Sequence, residues 1–144
     1  MIITSKSVEQ TGEIAKEFLE KISHGIYDGA LVVGLYGDLG SGKTTFTQAI
    51  AKHLGIKNNI TSPTFVIEKK YMTENMLFEN LVHIDAYRLE KPEELSALSW
   101  KETVSNTKNL ILIEWPERVA SLLPENHAKI MFKFISETER EIEF

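Results

Sequence analysis

The chain has 144 residues, 42% of them hydrophobic and 26% charged, which is an ordinary globular composition and enough for one domain. Its formal net charge of −5 argues against tight, autonomous binding to nucleic acid, because such binding needs clustered Lys and Arg. The absence of cysteine excludes disulfides, thiol nucleophiles and cysteine-ligated zinc. The sequence has neither a signal-peptide pattern nor an apolar run long enough for a bilayer, so we expect a cytoplasmic protein that does not engage a membrane.

The chain begins with a pattern that predicts strand, helix, strand and helix in that order. Residues 1–4 are typical of a short edge strand. Ser7 begins the first helix, because Gln10 follows it at the spacing of a capping box and apolar residues then recur at helical spacing. Residues 30–36 form a continuous apolar run, typical of a strand buried on both faces of a parallel sheet. After a glycine-rich loop, residues 43–54 carry one apolar face and predict the second helix.

The rest of the chain predicts strands with short helices between them. Residues 64–72 and 76–84 are typical of two strands joined by a turn. The other predicted elements are a short helix beginning at Pro92, a buried strand at 110–113, a helical segment at 116–123 and a C-terminal hairpin of strands at 129–135 and 140–144. Together they predict an α/β, P-loop NTPase fold: a single domain over residues 1–144 with a central parallel sheet, antiparallel edge strands and flanking helices.

Residues 37–44, GDLGSGKT, fit the phosphate-binding (Walker A) pattern G-x-x-x-x-G-K-[ST] at every fixed position. The glycines permit backbone angles closed to other residues, so that successive N–H groups converge on phosphate oxygens at a helix N-terminus. Lys43 would place its ammonium against the β- and γ-phosphates, the Thr44 hydroxyl would ligate magnesium, and Thr45 would reach the α-phosphate. The expected nucleotide-binding residues are Asp38, Leu39, Gly40, Ser41, Gly42, Lys43, Thr44 and Thr45. The loop therefore predicts binding of a nucleoside triphosphate with Mg²⁺, and hydrolysis of ATP.

Two acids follow apolar runs at predicted strand ends. Asp85 follows Leu-Val-His-Ile, and Glu114 follows Leu-Ile-Leu-Ile. Strand ends of open α/β sheets meet at the ligand crevice, so each acid is a candidate for holding magnesium or its water, or else a solvated carboxylate. His83, two residues before Asp85, is interpreted as a structural hydrogen-bonding residue.

Two further segments leave alternatives open. Residues 61–65, TSPTF, form either a simple turn into a strand or a switch loop whose threonines sense the γ-phosphate. Trp115, directly after Glu114, is either a core residue or an anchor for an interaction partner.

The motifs taken together resemble the TsaE (YjeE) family, bacterial P-loop ATPases required for the threonylcarbamoyladenosine (t6A) modification of tRNA. The similarity extends from about residue 7 to residue 123. It is carried by GDLGSGKTT at 37–45, TSPTF at 61–65, HIDAYRL at 83–89, PEEL at 92–95 and EWPER at 114–118.

The resemblance implies roles for individual residues. Thr44 and Glu114 would ligate magnesium, and Asp85 would position or activate the attacking water. Thr64 matches a switch-like threonine, and Trp115 matches a tryptophan tied to function. Together with Lys43, the residues Asp85 and Thr64 are then the expected catalytic set.

A less distinctive match places Thr11 near the nucleotide base. Ser41 stands where alanine is common in the family, and a serine is compatible because only its backbone is used. The family's activity implies binding to a TsaB–TsaD transferase pair, use of ATP to support its turnover, and contact with tRNA only through that partner. Because the sequence offers no clear arginine finger, we expect weak ATP hydrolysis by the chain alone and stimulation by the partner.

Three rival functions remain open on the residues alone. A small-molecule kinase would need an acceptor pocket and an arginine-bearing lid, for which Arg118 and Arg140 are candidates. A GTPase is disfavoured because no N-K-x-D sequence occurs. A nucleotide-gated binding module would bind ATP and a partner without turnover.

Overall fold

The computed structural model describes residues 1–58, 60–61 and 67–144. The strands are β1 (Ile2–Ser5), β2 (Leu31–Tyr36), β3 (Glu68–Met72), β4 (Asn80–Asp85), β5 (Asn109–Glu114), β6 (Ala128–Phe134) and β7 (Arg140–Glu143). The helices are α1 (Val8–Ile22), α2 (Lys43–His53), α3 (Glu93–Ser96), α4 (Trp100–Ser105) and a 3-10 helix (Pro116–Leu122). No described helix has the length and apolar character needed to cross a membrane.

The seven strands form one sheet in the order β1-β7-β6-β2-β5-β4-β3. The four central strands, β6, β2, β5 and β4, are parallel to one another. At the edges β3 pairs antiparallel with β4, β7 with β6, and β1 with β7. This confirms the predicted α/β fold with a parallel centre and antiparallel edge strands.

The two faces of the sheet are covered by different helices. Side chains alternate along a strand, so Val33 and Leu35 of β2 face the cluster that contains Phe18 of α1 and Phe46 of α2. Val32 faces the opposite cluster, in which α3, α4 and the 3-10 helix pack. Burial on both faces explains why residues 31–35 of β2 and residues 110–113 of β5 are free of charged and polar side chains.

The predicted start of the first helix is confirmed at Ser7. The Ser7 Oγ accepts a hydrogen bond of 3.0 Å from the Gln10 backbone N–H. The Gln10 side chain reaches back one residue further than a standard capping box, because its Oε1 accepts from the Lys6 N–H at 2.8 Å. The cap directs α1 back across the sheet from β1.

The turn between β3 and β4 is longer than predicted. The strand expected from residue 76 begins at Asn80, since the Asn75 Oδ1 accepts from the N–H groups of Leu77 and Phe78, at 2.8 and 3.0 Å, and holds a turn there. Phe78 is buried in the core. The strand expected over residues 64–72 begins at Glu68, and residues 64–66 of that prediction lie outside the described residues.

The C-terminal hairpin is confirmed as β6 and β7, and it is part of the main sheet. β6 pairs in parallel with β2, with Gly34 opposite Lys129 and Tyr36 opposite Met131. The hairpin therefore lies directly beside the loop that follows β2.

Candidate functional site

The glycine-rich loop connects the end of β2 to the start of α2. Gly40 and Gly42 have φ angles of 76° and 103°, in the left-handed region that disfavours a side chain. Gly42 occupies the N-cap position of α2, and no side chain caps the helix there. The first N–H groups of α2 are therefore available to an anion at the loop.

A cavity of about 510 Å³ lies over this loop. Its lining contains Leu39, Gly40, Ser41, Gly42, Lys43, Thr44, Thr45, Asp85, Tyr87, Glu114, Trp115 and Arg140. The structure thus brings most of the predicted loop residues together with both predicted acids and the tryptophan. Asp38 is exposed and is not among the lining residues; its carbonyl accepts from the Ser41 N–H at 3.1 Å and shapes the loop.

The two acids are adjacent across the sheet. Asp85 and Glu114 are register partners at the ends of the parallel strands β4 and β5. Both are nearly enclosed, with 7% and 4% of their surface exposed, so they are not solvated strand-end carboxylates. The Asp85 Oδ1 accepts from the Tyr87 N–H at 3.0 Å, which orients its carboxylate.

The donor set beside the loop suits magnesium. The Thr44 Oγ1 lies 3.4 Å from the Glu114 Oε1, and two oxygens bound cis to one Mg²⁺ are about 3 Å apart, given Mg–O distances of about 2.1 Å. No cluster of three or more His, Asp or Glu side chains that could hold a metal occurs in the described part of the chain. Mg²⁺ usually takes one or two protein oxygens and completes its coordination shell with phosphates and water.

Lys43 is a buried cation at the floor of this cavity. Its Nζ donates to the Gly37 carbonyl and lies 3.9 Å from the centroid of the Trp115 ring. Burial lowers the pKa of the Lys43 ammonium, while the carboxylate of Glu114, among others, opposes that shift. The ammonium is thus held within the loop by a carbonyl and a ring face, both neutral groups.

Trp115 has left-handed backbone angles, with φ 57° and ψ 49°, directly after β5. It is half-buried and lies at the cavity, with its ring centroid 5.1 Å from that of Tyr87. Trp115 also packs against the core cluster that contains Val32, so it combines a core contact with a place at the cavity, and its role as an anchor for a partner stays a prediction.

Comparison with known proteins gives one family. The model of the family "Threonylcarbamoyl adenosine biosynthesis protein TsaE" matches residues 5–142. The chain belongs to the TsaE family. Among named members it is 38% identical to TsaE of Rickettsia typhi, over 95% of this chain and 89% of that protein. It is 37% identical to TsaE of Treponema pallidum, over 99% and 98% of the two chains.

A solved structure agrees with the family membership. The crystal structure of Bacillus subtilis YdiB superposes with a TM-score of 0.73 and 31% identity, covering 99% of this chain and 82% of that one. The family and the fold expected from the motifs are both confirmed.

Thr11, a further predicted site residue of this TsaE family member, does not line the cavity over the loop. Thr11 is buried, with its Oγ1 2.6 Å from the Ser5 Oγ, and lines a neighbouring cavity of about 340 Å³. Thr64 lies outside the described residues, so its switch-like role stays a prediction.

Two further residues lie at the site: His83, predicted to be a structural hydrogen-bonding residue, and Arg140, named before only as a candidate lid arginine for a kinase. The His83 Nε2 lies 2.7 Å from the Glu114 Oε2, beneath the carboxylate that faces Thr44. Arg140 donates from Nε to the Gly40 carbonyl of the loop at 3.0 Å. His83 and Asp85 are two residues apart in the same strand and therefore lie on the same face, which is a sequence signal that places His83 near the site. Nothing in the sequence connects Arg140 to a loop 100 residues away.

Proposed function

We propose that this chain is a Mg²⁺-dependent ATP-binding protein and ATPase that supports t6A modification of tRNA by acting on a TsaB–TsaD-like transferase complex. Membership of a family named for threonylcarbamoyladenosine biosynthesis supports the pathway. The main observation in support of ATP binding and hydrolysis is the cavity in which the glycine-rich loop, Lys43 and Thr44 face the Asp85–Glu114 pair.

ATP binding would use groups that are already in place. The uncapped N–H groups of α2 and the Lys43 ammonium supply the positive end of the cavity, to which phosphate oxygens bind. Thr44 and Glu114 would hold magnesium, which when bound neutralises phosphate charge. Without a cation, the buried carboxylates of Glu114 and Asp85 would repel the triphosphate. This predicts that tight binding requires Mg²⁺.

Hydrolysis would depend on Asp85. Its carboxylate lies at the strand end beside Glu114 and is oriented by the Tyr87 N–H. From there it accepts a hydrogen bond from a water molecule and directs the water oxygen at the γ-phosphorus. The new O–P bond forms as the bond to the β–γ bridging oxygen breaks, the water proton passes to the carboxylate, and ADP and phosphate leave.

The isolated chain is expected to turn over slowly. Among the described residues that line the cavity, Arg140 is the single arginine, and its guanidinium is engaged with backbone carbonyls. A P-loop enzyme that lacks an arginine finger typically loses about 10³–10⁵ in rate. A partner that orders the site would restore part of that loss.

The mouth of the cavity carries apolar groups that a partner protein can cover. Leu39 is 70% exposed and Tyr87 is 39% exposed, and Trp115 lies beside Tyr87. Exposed aromatic residues at a site are typical anchors of protein interfaces. The net charge of −5 is consistent with tRNA being held by the partner.

The test measures the release of labelled phosphate from ATP that is labelled at the γ-position. Three samples are compared: the chain alone, the chain with a purified TsaB–TsaD pair, and the pair alone. Slow release alone and faster release with the pair supports the proposal. Label that appears in a metabolite instead of phosphate supports the kinase alternative. ATP and partner binding with no phosphate release in a single-turnover experiment supports the binding module and refutes the ATPase.

A further inference from the structure

Ser41 carries a buried hydroxyl group within the glycine-rich loop. The residue is 1% exposed, and in the described part of the chain no hydrogen-bond partner is found for its Oγ. Its backbone N–H, in contrast, donates to the Asp38 carbonyl at 3.1 Å, so the residue itself is held in a turn. A buried hydroxyl without an acceptor destabilises the structure around it. The loop in this arrangement therefore carries a free-energy penalty that an acceptor for the Ser41 hydroxyl would remove.

The Ser41 hydroxyl lies against Gly37, the first residue of the loop. A Cβ added at Gly37 would be 2.7 Å from the Ser41 Oγ and 2.6 Å from the carbonyl oxygen of Phe132 on β6. A residue with a side chain does not fit between these two groups, and the Ser41 hydroxyl borders the Gly37 backbone directly. The Gly37 carbonyl oxygen, two bonds from the α-carbon, is thus an acceptor close to this hydroxyl.

The Gly37 carbonyl is engaged by Lys43 in this arrangement. The Lys43 Nζ donates to it and also lies 3.9 Å from the centroid of the Trp115 ring. Both are neutral groups, and a phosphate oxygen is a stronger acceptor for an ammonium because it is charged. A triphosphate at the loop would therefore attract the Lys43 ammonium away from the Gly37 carbonyl, and this carbonyl would then need another donor.

We propose that Ser41 is a positioning residue of the phosphate site, whose hydroxyl donates to the Gly37 carbonyl when a triphosphate takes the Lys43 ammonium. This inference rests on the proposed ATP binding and adds a role for the Ser41 side chain. The exchange satisfies the Ser41 donor and the Gly37 acceptor together, so it lowers the free energy of moving the ammonium onto phosphate. Ser41 then contributes to nucleotide affinity through Lys43, without a contact between its hydroxyl and the nucleotide.

The first experiment measures the ATP affinity and the stability of Ser41→Ala. Titration calorimetry with Mg²⁺ and ATP should show binding about two- to tenfold weaker than that of the unchanged chain, as expected for one neutral hydrogen bond. The midpoint of thermal unfolding without nucleotide should stay the same or rise, because the substitution removes a hydroxyl that has no acceptor. An ATP affinity equal to or above that of the unchanged chain would overturn the inference.

The second experiment repeats Ser41→Ala in a chain that also carries Lys43→Ala. Without the ammonium, the Gly37 carbonyl is open to the Ser41 hydroxyl even when no nucleotide is added, so Ser41→Ala should now lower the unfolding midpoint. Thr47→Val is the matched control, because the buried Thr47 hydroxyl donates to the backbone carbonyl of Lys43 at 3.0 Å and its loss should have the same effect in both chains. If Ser41→Ala lowers the midpoint equally in both chains, the hydroxyl is bonded before nucleotide binds and the inference is wrong.

The two experiments separate this inference from the proposed function. If Lys43→Ala leaves ATP affinity unchanged, the ATP site at this loop is refuted, while the stability comparison still tests the exchange between Lys43 and Ser41. If Lys43→Ala abolishes ATP binding but Ser41→Ala changes neither the ATP affinity nor the unfolding midpoint of the Lys43→Ala chain, the ATP site stands and the role of Ser41 is refuted.

Discussion

The Nε2 atom of His83 lies 2.7 Å from the Oε2 atom of Glu114, between the neighbouring parallel strands β4 and β5. Both side chains are buried. An ionised carboxylate only accepts hydrogen bonds, so the His83 Nε2 carries the proton and donates it. One oxygen of Glu114 is thereby fixed, and the other, Oε1, is left facing the Thr44 hydroxyl at 3.4 Å.

The first prediction concerns His83 as a positioning residue for Glu114. His83→Leu should raise the Mg²⁺ concentration needed for tight ATP binding by about ten- to a hundredfold, because partners behind a metal ligand contribute that much to metal affinity. His83→Gln retains an amide donor and should recover part of the loss. The measurement is ATP binding across a Mg²⁺ series. Identical Mg²⁺ curves for the leucine variant and the unchanged chain would contradict the role.

The second prediction concerns Lys43. Lys43→Ala should weaken ATP binding by at least about ten- to a hundredfold, since a charge-assisted contact to phosphate is worth roughly 1.5–3 kcal/mol. Lys52→Ala is the matched control, because Lys52 is exposed near the other end of α2. Titration calorimetry measures both. Unchanged ATP affinity in the Lys43 variant would remove the basis for a phosphate site at this loop.

The third prediction separates the two acids. Glu114→Gln should weaken the Mg²⁺ dependence and the binding of ATP, because it removes a charge 3.4 Å from the Thr44 hydroxyl. Asp85→Asn should leave ATP binding intact and stop hydrolysis, because its amide oxygen can still accept from Tyr87 but cannot take a proton from water. Binding and phosphate release are measured on each variant. Normal hydrolysis by the Asp85 variant would refute this division of roles.

The fourth prediction concerns Trp115. Its ring contacts the Lys43 ammonium, a contact worth about 0.5–1 kcal/mol, so Trp115→Ala should change ATP affinity by about two- to fivefold at most. Partner-stimulated turnover should fall much further, because an anchor at the cavity mouth is lost. Trp115→Phe keeps a ring there and is the matched control. Stimulation of the alanine variant to the level of the unchanged chain would exclude Trp115 from the partner surface.

The loop and its helix could be predicted from sequence because the information is local. Residues 37–44 carry glycines, lysine and threonine at fixed spacing, and the apolar run before them and the helical period after them set their context. The acids Asp85 and Glu114 were found by a less local argument, since each ends a buried strand. That they are register partners followed only from the pairing of β4 with β5.

The sequence by itself determined the fold class, the loop and the family, because periodicity and motif spacing are properties of short segments. Only the tertiary structure decided which distant groups meet: His83 with Glu114, and Arg140 with Gly40, the latter pair 100 residues apart. The physical reason is strand order. β6 pairs beside β2 rather than extending an edge, which brings the C-terminal hairpin against the loop, and hydrophobic periodicity reports which face of a strand is buried but not which strand lies next to it.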